Sequence, residues 1–290
     1  MKIFFIGCGN MGEAFLKIGL EKKVFTNNEV VVFEKSSERK KYLKDTYSIT
    51  IAEKLEDVQA SEVVFLGIKP QNLEDLLIQR FEGKIVISIL AGTRIVKIIE
   101  KFVGAKIARA MPNLGQFVKQ GMSGIFFGTT FSVSEKDFVK SIFKAGGEVL
   151  EVDKELDLDN ITAISGSGPA YFFYFTEKLI ESALVLGFSK EMAEVLVRQT
   201  FLGSAEILNQ YKDDSVADWR NKVTSRGGTT EKAIENFENS DFEKIVLESV
   251  RAAQKRAEEL GAGKSVEKKS KFLYGHFSMF PENLVENFLY

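Results

Sequence analysis

Short apolar runs separated by amphipathic stretches dominate the first half of the chain. Lys2–Ile6, Glu29–Phe33, Glu62–Gly67, Lys84–Ile89 and Ala105–Arg109 are rich in Val, Ile and Phe and predict strands. Between them Met11–Lys22, Glu38–Asp45, Asn72–Gln79 and Arg94–Phe102 carry helical spacing. Strands that are apolar on both sides and alternate with helices predict a parallel sheet covered on both faces. Ser123–Phe127 and Glu148–Val152, flanking a helix near Ser134–Lys144, extend that sheet.

From about Asp157 the strand signal disappears. Ala170–Leu186 is apolar on nearly every side, which predicts a buried helix. Ser189 starts another that runs towards Tyr211. Ser215 and Asp218 have capping-box spacing for a short helix. Asp241 opens a long amphipathic helix that Gly261 stops. The expected fold is therefore an α/β, doubly wound, mostly parallel sheet followed by an all-α domain. Residues 1–155 form the first domain and 156–261 the second. Residues 262–290, a lysine-rich linker and an aromatic tail, stand apart and have no assigned role.

Composition narrows the class. A chain of 290 residues with 44% hydrophobic and 28% charged residues is expected to be globular and soluble. A net charge of −2 leaves no basic footprint for nucleic acid. One cysteine excludes an internal disulfide, and one cysteine with one histidine argues against a metal site. Asn160–Thr176, the longest tempting span and free of charge, is broken by Ser165–Pro169 and too short to cross a bilayer. The chain enters a strand-like run at once, so the expected location is cytoplasmic.

The first candidate site is Gly7-Cys8-Gly9-Asn10-Met11-Gly12, between the first strand and the first helix. Gly7 permits a tight turn, Gly9 lets backbone approach a pyrophosphate, and Gly12 lets helix and strand pack closely. Cys8 fills a variable slot where small size suffices. Glu34 ends the second run, where an acid accepts hydrogen bonds from an adenosine ribose and favours NADH. Lys35, Ser36 and Arg39 follow and could instead hold the 2′-phosphate of NADPH. Gly67-Ile68-Lys69-Pro70 ends the next strand, where ligands of such sheets bind, although Pro70 could simply start a helix. Asn113, after Arg109-Ala110-Met111-Pro112, could hydrogen-bond the nicotinamide amide or a substrate, or merely form a turn.

A second candidate site lies in Val223–Thr230, between two helical segments. Its two glycines expose backbone N–H groups, and Thr229 or Thr230 is expected to cap a helix whose positive N-terminus suits a carboxylate. Ser165–Tyr171 is a third close-approach candidate and equally a helix start with Pro169 in its first turn. His276 lies in the tail, so neither domain holds a histidine acid. Reducing a carbonyl needs a proton for the developing alkoxide, whereas a protonated imine becomes a neutral amine without one. The absence therefore favours C=N over C=O reduction.

Together these motifs resemble the pyrroline-5-carboxylate reductase family over about residues 1–261. The resemblance rests on the glycine loop with Asn10-Met11, Lys69-Pro70-Gln71, Arg109–Asn113, Ser165–Tyr171 and Val223–Thr230. It implies a Rossmann domain and a helical domain that makes a homodimer, often built into larger rings. It implies reduction of 1-pyrroline-5-carboxylate to L-proline, the last step of proline biosynthesis, by NADPH or NADH. Carried over, Ile6, Gly7, Cys8, Gly9, Asn10 and Met11 hold the pyrophosphate, and Gly67, Ile68, Lys69 and Pro70 lie on the nicotinamide side. Glu34, Lys35 and Asn113 complete the cofactor set. Ser225, Gly227, Gly228, Thr229 and Thr230 hold the substrate carboxylate, with the Thr230 hydroxyl near the ring nitrogen. Arg226, Leu114-Gly115 and Glu34 depart from the family's usual residues. Alternatives are a paralogue acting on another cyclic imine, a hydroxyacid dehydrogenase using Lys178 or Lys222, or a silent dinucleotide-binding regulator.

Overall fold

The computed structural model describes residues 1–128 and 131–262; the expected tail, from residue 263 on, lies outside them. Eight strands form one sheet: β1 (Ile3–Ile6), β2 (Val30–Phe33), β3 (Thr50–Ile51), β4 (Val63–Leu66), β6 (Ile85–Ser88), β8 (Lys106–Met111), β9 (Gly121–Phe127) and β10 (Gly147–Glu151). Their spatial order is β10-β9-β8-β6-β4-β1-β2-β3. Every neighbouring pair is parallel except β8–β9, which a short connection joins antiparallel. Order reverses at β1, so chain enters the middle of the sheet and winds outward in both directions. The carboxyl end of β1 therefore sits at the switch point, where a crevice opens between the diverging loops.

The strands' two-residue period sorts their side chains onto opposite faces. Ile3, Phe5, Val63, Phe65, Ile85 and Ile87 enter one core with Phe15, Leu16 and Phe143. Phe4, Ile6, Val64, Leu66 and Val86 enter the other, with Leu73, Phe81, Ile98 and Phe102. Helices α1 (Asn10–Glu21), α2 (Ser37–Tyr47), α3 (Ile95–Lys101) and α4 (Val133–Lys144) fall within a few residues of the sequence pattern. Asn72–Gln79 does not form the expected helix. A 3-10 turn spans Pro70–Leu73, and Gln79–Arg80 becomes β5, paired with β7 (Phe102–Val103) in a separate two-stranded sheet. Leu73 and Leu76 reach the second core from this turn segment, so their burial mimics helical spacing without a helix.

The described polypeptide divides into two compact units, residues 1–166 with 253–262 and residues 167–252. In the first, α5 (Asp157–Ile161) runs into a π-helical turn at Thr162–Gly166. The second is all-helical: α6 (Gly168–Val185), α7 (Lys190–Gln210), α8 (Val216–Lys222), α9 (Thr229–Asn239) and the first part of α10 (Phe242–Gly261). Pro169 sits in the first turn of α6, and Ser189 and Ser215 cap α7 and α8 through the backbone N–H of Met192 and Asp218. The helix expected to be buried is not buried in the isolated chain. Phe172, Phe173 and Tyr174 of α6 are 57%, 61% and 63% exposed. An all-round apolar helix needs cover on every side, and the other helices of its unit supply only part of it.

Candidate active site

The turn from β1 into α1 is built as the glycine spacing requires. Gly7 has φ +77°, and a methyl there would lie 2.6 Å from Ile68 Cγ2. Gly12 faces the Gly7 carbonyl, so the helix packs closely on the turn. At Gly9 a methyl would meet nothing within 4 Å: its face is open. Asn10 starts α1, whose N-terminus carries the positive end of the helix dipole. Cys8 is buried beneath the loop, and burial pushes its thiol up to about 12, with Arg39 opposing and Glu13 and Glu34 adding. The thiol is therefore a packing group.

Two cavities flank this turn. One, of about 250 Å³, is lined by Ile6, Gly7, Gly9, Phe33, Glu34, Lys35, Gly67, Ile68, Lys69, Asn72 and Leu76. The other, of about 340 Å³, is lined by Gly9, Asn10, Met11, Gly67, Ile68, Lys69 and Pro70 together with Ile89, Leu90, Met111, Pro112, Leu114 and Phe117. Gly9 and the Gly67–Lys69 segment belong to both. The two cavities meet at the open Gly9 face. The structure thus gathers Ile6, Gly7, Gly9, Asn10, Met11, Glu34, Lys35, Gly67, Ile68, Lys69 and Pro70 around one groove, with Cys8 underneath. Pro70 also serves as the first residue of its 3-10 turn.

Asn113 has a structural occupation. Its Oδ1 accepts the N–H groups of Gly115 and Met122 at 3.0 and 3.1 Å, and its Nδ2 donates to Ser165 Oγ at 3.1 Å. The side chain pins the 3-10 turn Leu114–Val118 to β9 and the π turn, and it is absent from the lining of the apolar cavity. Of the readings open from sequence, the turn is the one the geometry displays. That turn presents Leu114, which the sequence marked as a departure from the family's usual residues, and Phe117, which carried no sequence motif, to the cavity.

In the second unit, Ser225–Thr230 forms a turn at the start of α9. The Gly228 N–H donates to the Ser225 carbonyl at 2.9 Å, and Gly227 takes φ +73°. Gly228, not Thr229 or Thr230, is the N-cap; the threonines are the first two residues of the helix, and no side chain caps it. A methyl on Gly228 would lie 2.4 Å from Ser225 Oγ and 2.9 Å from the Ser225 carbonyl oxygen, so the turn leaves little room there for a side chain. Instead Glu231 reaches back to the Gly227 N–H at 2.6 Å. The N–H groups of the first turn have no intrahelical acceptor and form an anion-ready end.

Sequence reasoning passed over Glu13. Its carboxylate takes the hydroxyls of Tyr42 and Tyr47 at 2.9 and 2.6 Å and pairs with Arg39. Burial opposes ionisation there, but the hydrogen bonds from Tyr47, Arg39 and Tyr42 outweigh it and hold the carboxyl below its ordinary value. Its place in the first turn of α1 was the available signal. No group of His, Cys, Asp or Glu able to hold a metal occurs among the described residues. No helix among them is long and apolar enough to cross a membrane.

Sheet order, glycine turn and paired cavities define the first unit as a Rossmann-type dinucleotide-binding domain. Residues 2–92 match the family model "NADP oxidoreductase coenzyme F420-dependent", and residues 155–260 match "Pyrroline-5-carboxylate reductase dimerisation". A pyrroline-5-carboxylate reductase of Synechocystis is 36% identical over 88% of this chain and 97% of its own. The solved reductase of Coxiella burnetii superposes with TM-score 0.80 at 33% identity, covering 89% of this chain and 98% of its own. The Plasmodium falciparum enzyme, solved with NADP bound, gives 0.77 at 26%, covering 90% and 98%. The chain belongs to the pyrroline-5-carboxylate reductase family. Residues 155–260 carry that family's dimerisation domain, which makes the chain a homodimer, and the exposed aromatic face of α6 lies within that domain.

Proposed function

We propose that the chain reduces 1-pyrroline-5-carboxylate to L-proline with NAD(P)H as reductant. The observation that carries this reading is the open Gly9 face between two cavities, in a chain of this reductase family. Gly7, Gly9, Asn10 and Met11 hold the diphosphate on amides and the α1 dipole. Glu34 and Lys35 of one cavity would hold the adenosine end, and the apolar wall of Ile89, Leu90, Met111 and Leu114 in the other would face the nicotinamide. The cofactor supplies a hydride for the imine carbon, and the iminium nitrogen becomes the amine.

The chain's own contribution is positioning. Amides at the start of α9, with Ser225, Gly227, Gly228 and Thr229, hold the substrate carboxylate, and Glu231 gives up the Gly227 N–H when that carboxylate arrives. The Thr230 hydroxyl orients the ring nitrogen by hydrogen bonding. Arg226 adds a cation beside the carboxylate. Assembly beyond the dimer, into rings, belongs to the same reading.

Purified protein should oxidise NADH or NADPH, followed by absorbance, only when pyrroline-5-carboxylate is present. Thr230→Val, which keeps shape and loses the hydroxyl, should lower kcat/KM by about tenfold to a hundredfold. No substrate-dependent oxidation by folded protein with either cofactor would remove the proposal.

A further inference from the structure

NADH and NADPH differ by one phosphate on the adenosine ribose, and the end of β2 is where that group would arrive. Three of the residues there are candidate partners: Lys35, Ser36 and Arg39. The structure does not leave Arg39 in position to serve. Its Nε donates to the Cys8 carbonyl at 3.0 Å, its outer nitrogen pairs with Glu13, and its guanidinium lies over the Tyr42 ring at 5.0 Å. Glu13 is held in turn by both tyrosine hydroxyls, and the two charged side chains are only 25% and 18% exposed. Arg39 accordingly does not line the cavity that Glu34 and Lys35 line.

Glu34 closes the same corner from the other side. Its Oε2 accepts the Cys8 N–H at 3.1 Å, and its Oε1 accepts the N–H groups of Lys35 and Ser36 at 2.7 and 3.3 Å. The backbone donors that a phosphate would use at this turn are already taken by a carboxylate, which would repel it. A ribose hydroxyl, by contrast, can donate to a carboxylate that still has lone pairs free. Lys35 compensates little. Lys35 pairs with Asp75 at 3.4 Å with both side chains more than half exposed, so it remains a hydrated point charge, without the bidentate fork of arginine.

We propose that Glu13 is a specificity-determining residue, which by withholding Arg39 beneath the glycine loop makes this enzyme prefer NADH, with Glu34 as the repulsive element at the cavity mouth. The inference rests on the dinucleotide-binding reading of the first unit, and not on the identity of the imine.

The test measures dissociation constants for NADH and NADPH by fluorescence titration without substrate, at fixed ionic strength. Wild-type protein should bind NADH at least about tenfold more tightly, the scale of one lost charge-assisted contact plus repulsion. Glu13→Gln should release Arg39 and move the ratio about tenfold towards NADPH, while Glu13→Asp, which keeps the charge, should stay near wild type. The double variant Glu13→Gln with Arg39→Leu should return the ratio, because Arg39 is the agent. Tyr42→Phe with Tyr47→Phe, which loosens Glu13 without removing it, provides an independent route if Glu13→Gln does not fold. Equal or tighter NADPH binding by wild type overturns the proposal. An unmoved ratio in folded Glu13→Gln, or a shift that persists without Arg39, also overturns it. Binding of neither cofactor sinks it together with the dinucleotide reading. NADH-selective binding without turnover of pyrroline-5-carboxylate sustains it while removing the substrate assignment.

Discussion

The α-carbon of Gly67 lies against the carbonyl oxygen of Gly7, so close that a methyl on Gly67 would sit 2.7 Å from that oxygen. The ends of β1 and β4 meet there with no side chain between them. Gly67→Ala should force two backbone segments apart and cost about 1–3 kcal/mol of stability. Gly9→Ala is the contrasting case, because its methyl would enter open space. That variant should melt near the wild-type temperature yet bind cofactor at least about tenfold more weakly, since the lost space is the ligand's. Thermal melts beside cofactor titrations separate the two. A Gly67→Ala protein as stable as wild type would contradict the packing.

Glu13 gives the domain a pH signature. Its carboxyl is held below the ordinary value of 4.5 in the folded state, so folding favours the ionised form. The stabilisation is complete well above 4.5 and is lost as pH falls through the lower folded value. Glu13→Gln should therefore melt below wild type at pH 7, and the gap should narrow steadily below about pH 4.5. Paired melting curves from pH 7 to pH 3 read this directly; a gap that widens on acidification would mean the hydrogen bonds favour the protonated group.

Cys8 is the chain's one cysteine, which makes its burial easy to read. With its thiol pushed up to about 12, native protein should react with a thiol reagent at pH 8 far more slowly than unfolded protein. One equivalent should appear on denaturation. Fast native labelling would show that the glycine loop opens.

Asn113 holds three connections at once, to Gly115, Met122 and Ser165. Asn113→Ala leaves two partly buried N–H groups without their acceptor and should destabilise the protein by about 1–3 kcal/mol. Because the turn it pins carries Leu114 and Phe117 to the cavity wall, KM for the cofactor should also rise. Denaturant unfolding and steady-state kinetics check the two effects.

The exposed aromatics of α6 make the dimer testable. Phe173→Asp places a charge on the exposed aromatic face of α6, within the dimerisation domain, and light scattering should shift from dimer to monomer. A charged variant that remains dimeric would place the interface elsewhere.

Much of this was legible in the sequence because the signals were local. The buried strands announced themselves by Val, Ile and Phe on both faces, and Gly7-x-Gly9-x-x-Gly12 by its place after β1. Asn72–Gln79 misled because Leu73 and Leu76 are buried from an irregular segment, and sequence spacing cannot tell a short turn from the start of a helix. The N-cap of α9 is Gly228, where Ser225 leaves little room for a side chain, a contact that hydroxyl preference does not encode. Glu13 escaped notice for a different reason: Arg39, Tyr42 and Tyr47 reach it across the interface between α1 and α2. Such convergence exists only once the chain has folded. The exposure of α6 was hidden because a sequence does not say whether an apolar helix is covered by its own chain or by a second one.

Helix α10 begins in the second unit and finishes in the first, where Leu260 packs beside the left-handed turn at Gly92 and Gln254 hydrogen-bonds Asn160. A nascent chain emerging from the ribosome thus exposes an incomplete nucleotide domain, with a gap that only residues made after the whole helical domain can fill. Shortening the polypeptide to residue 252 would damage the half that was synthesised first, and a linear cut between domains could never yield an intact one.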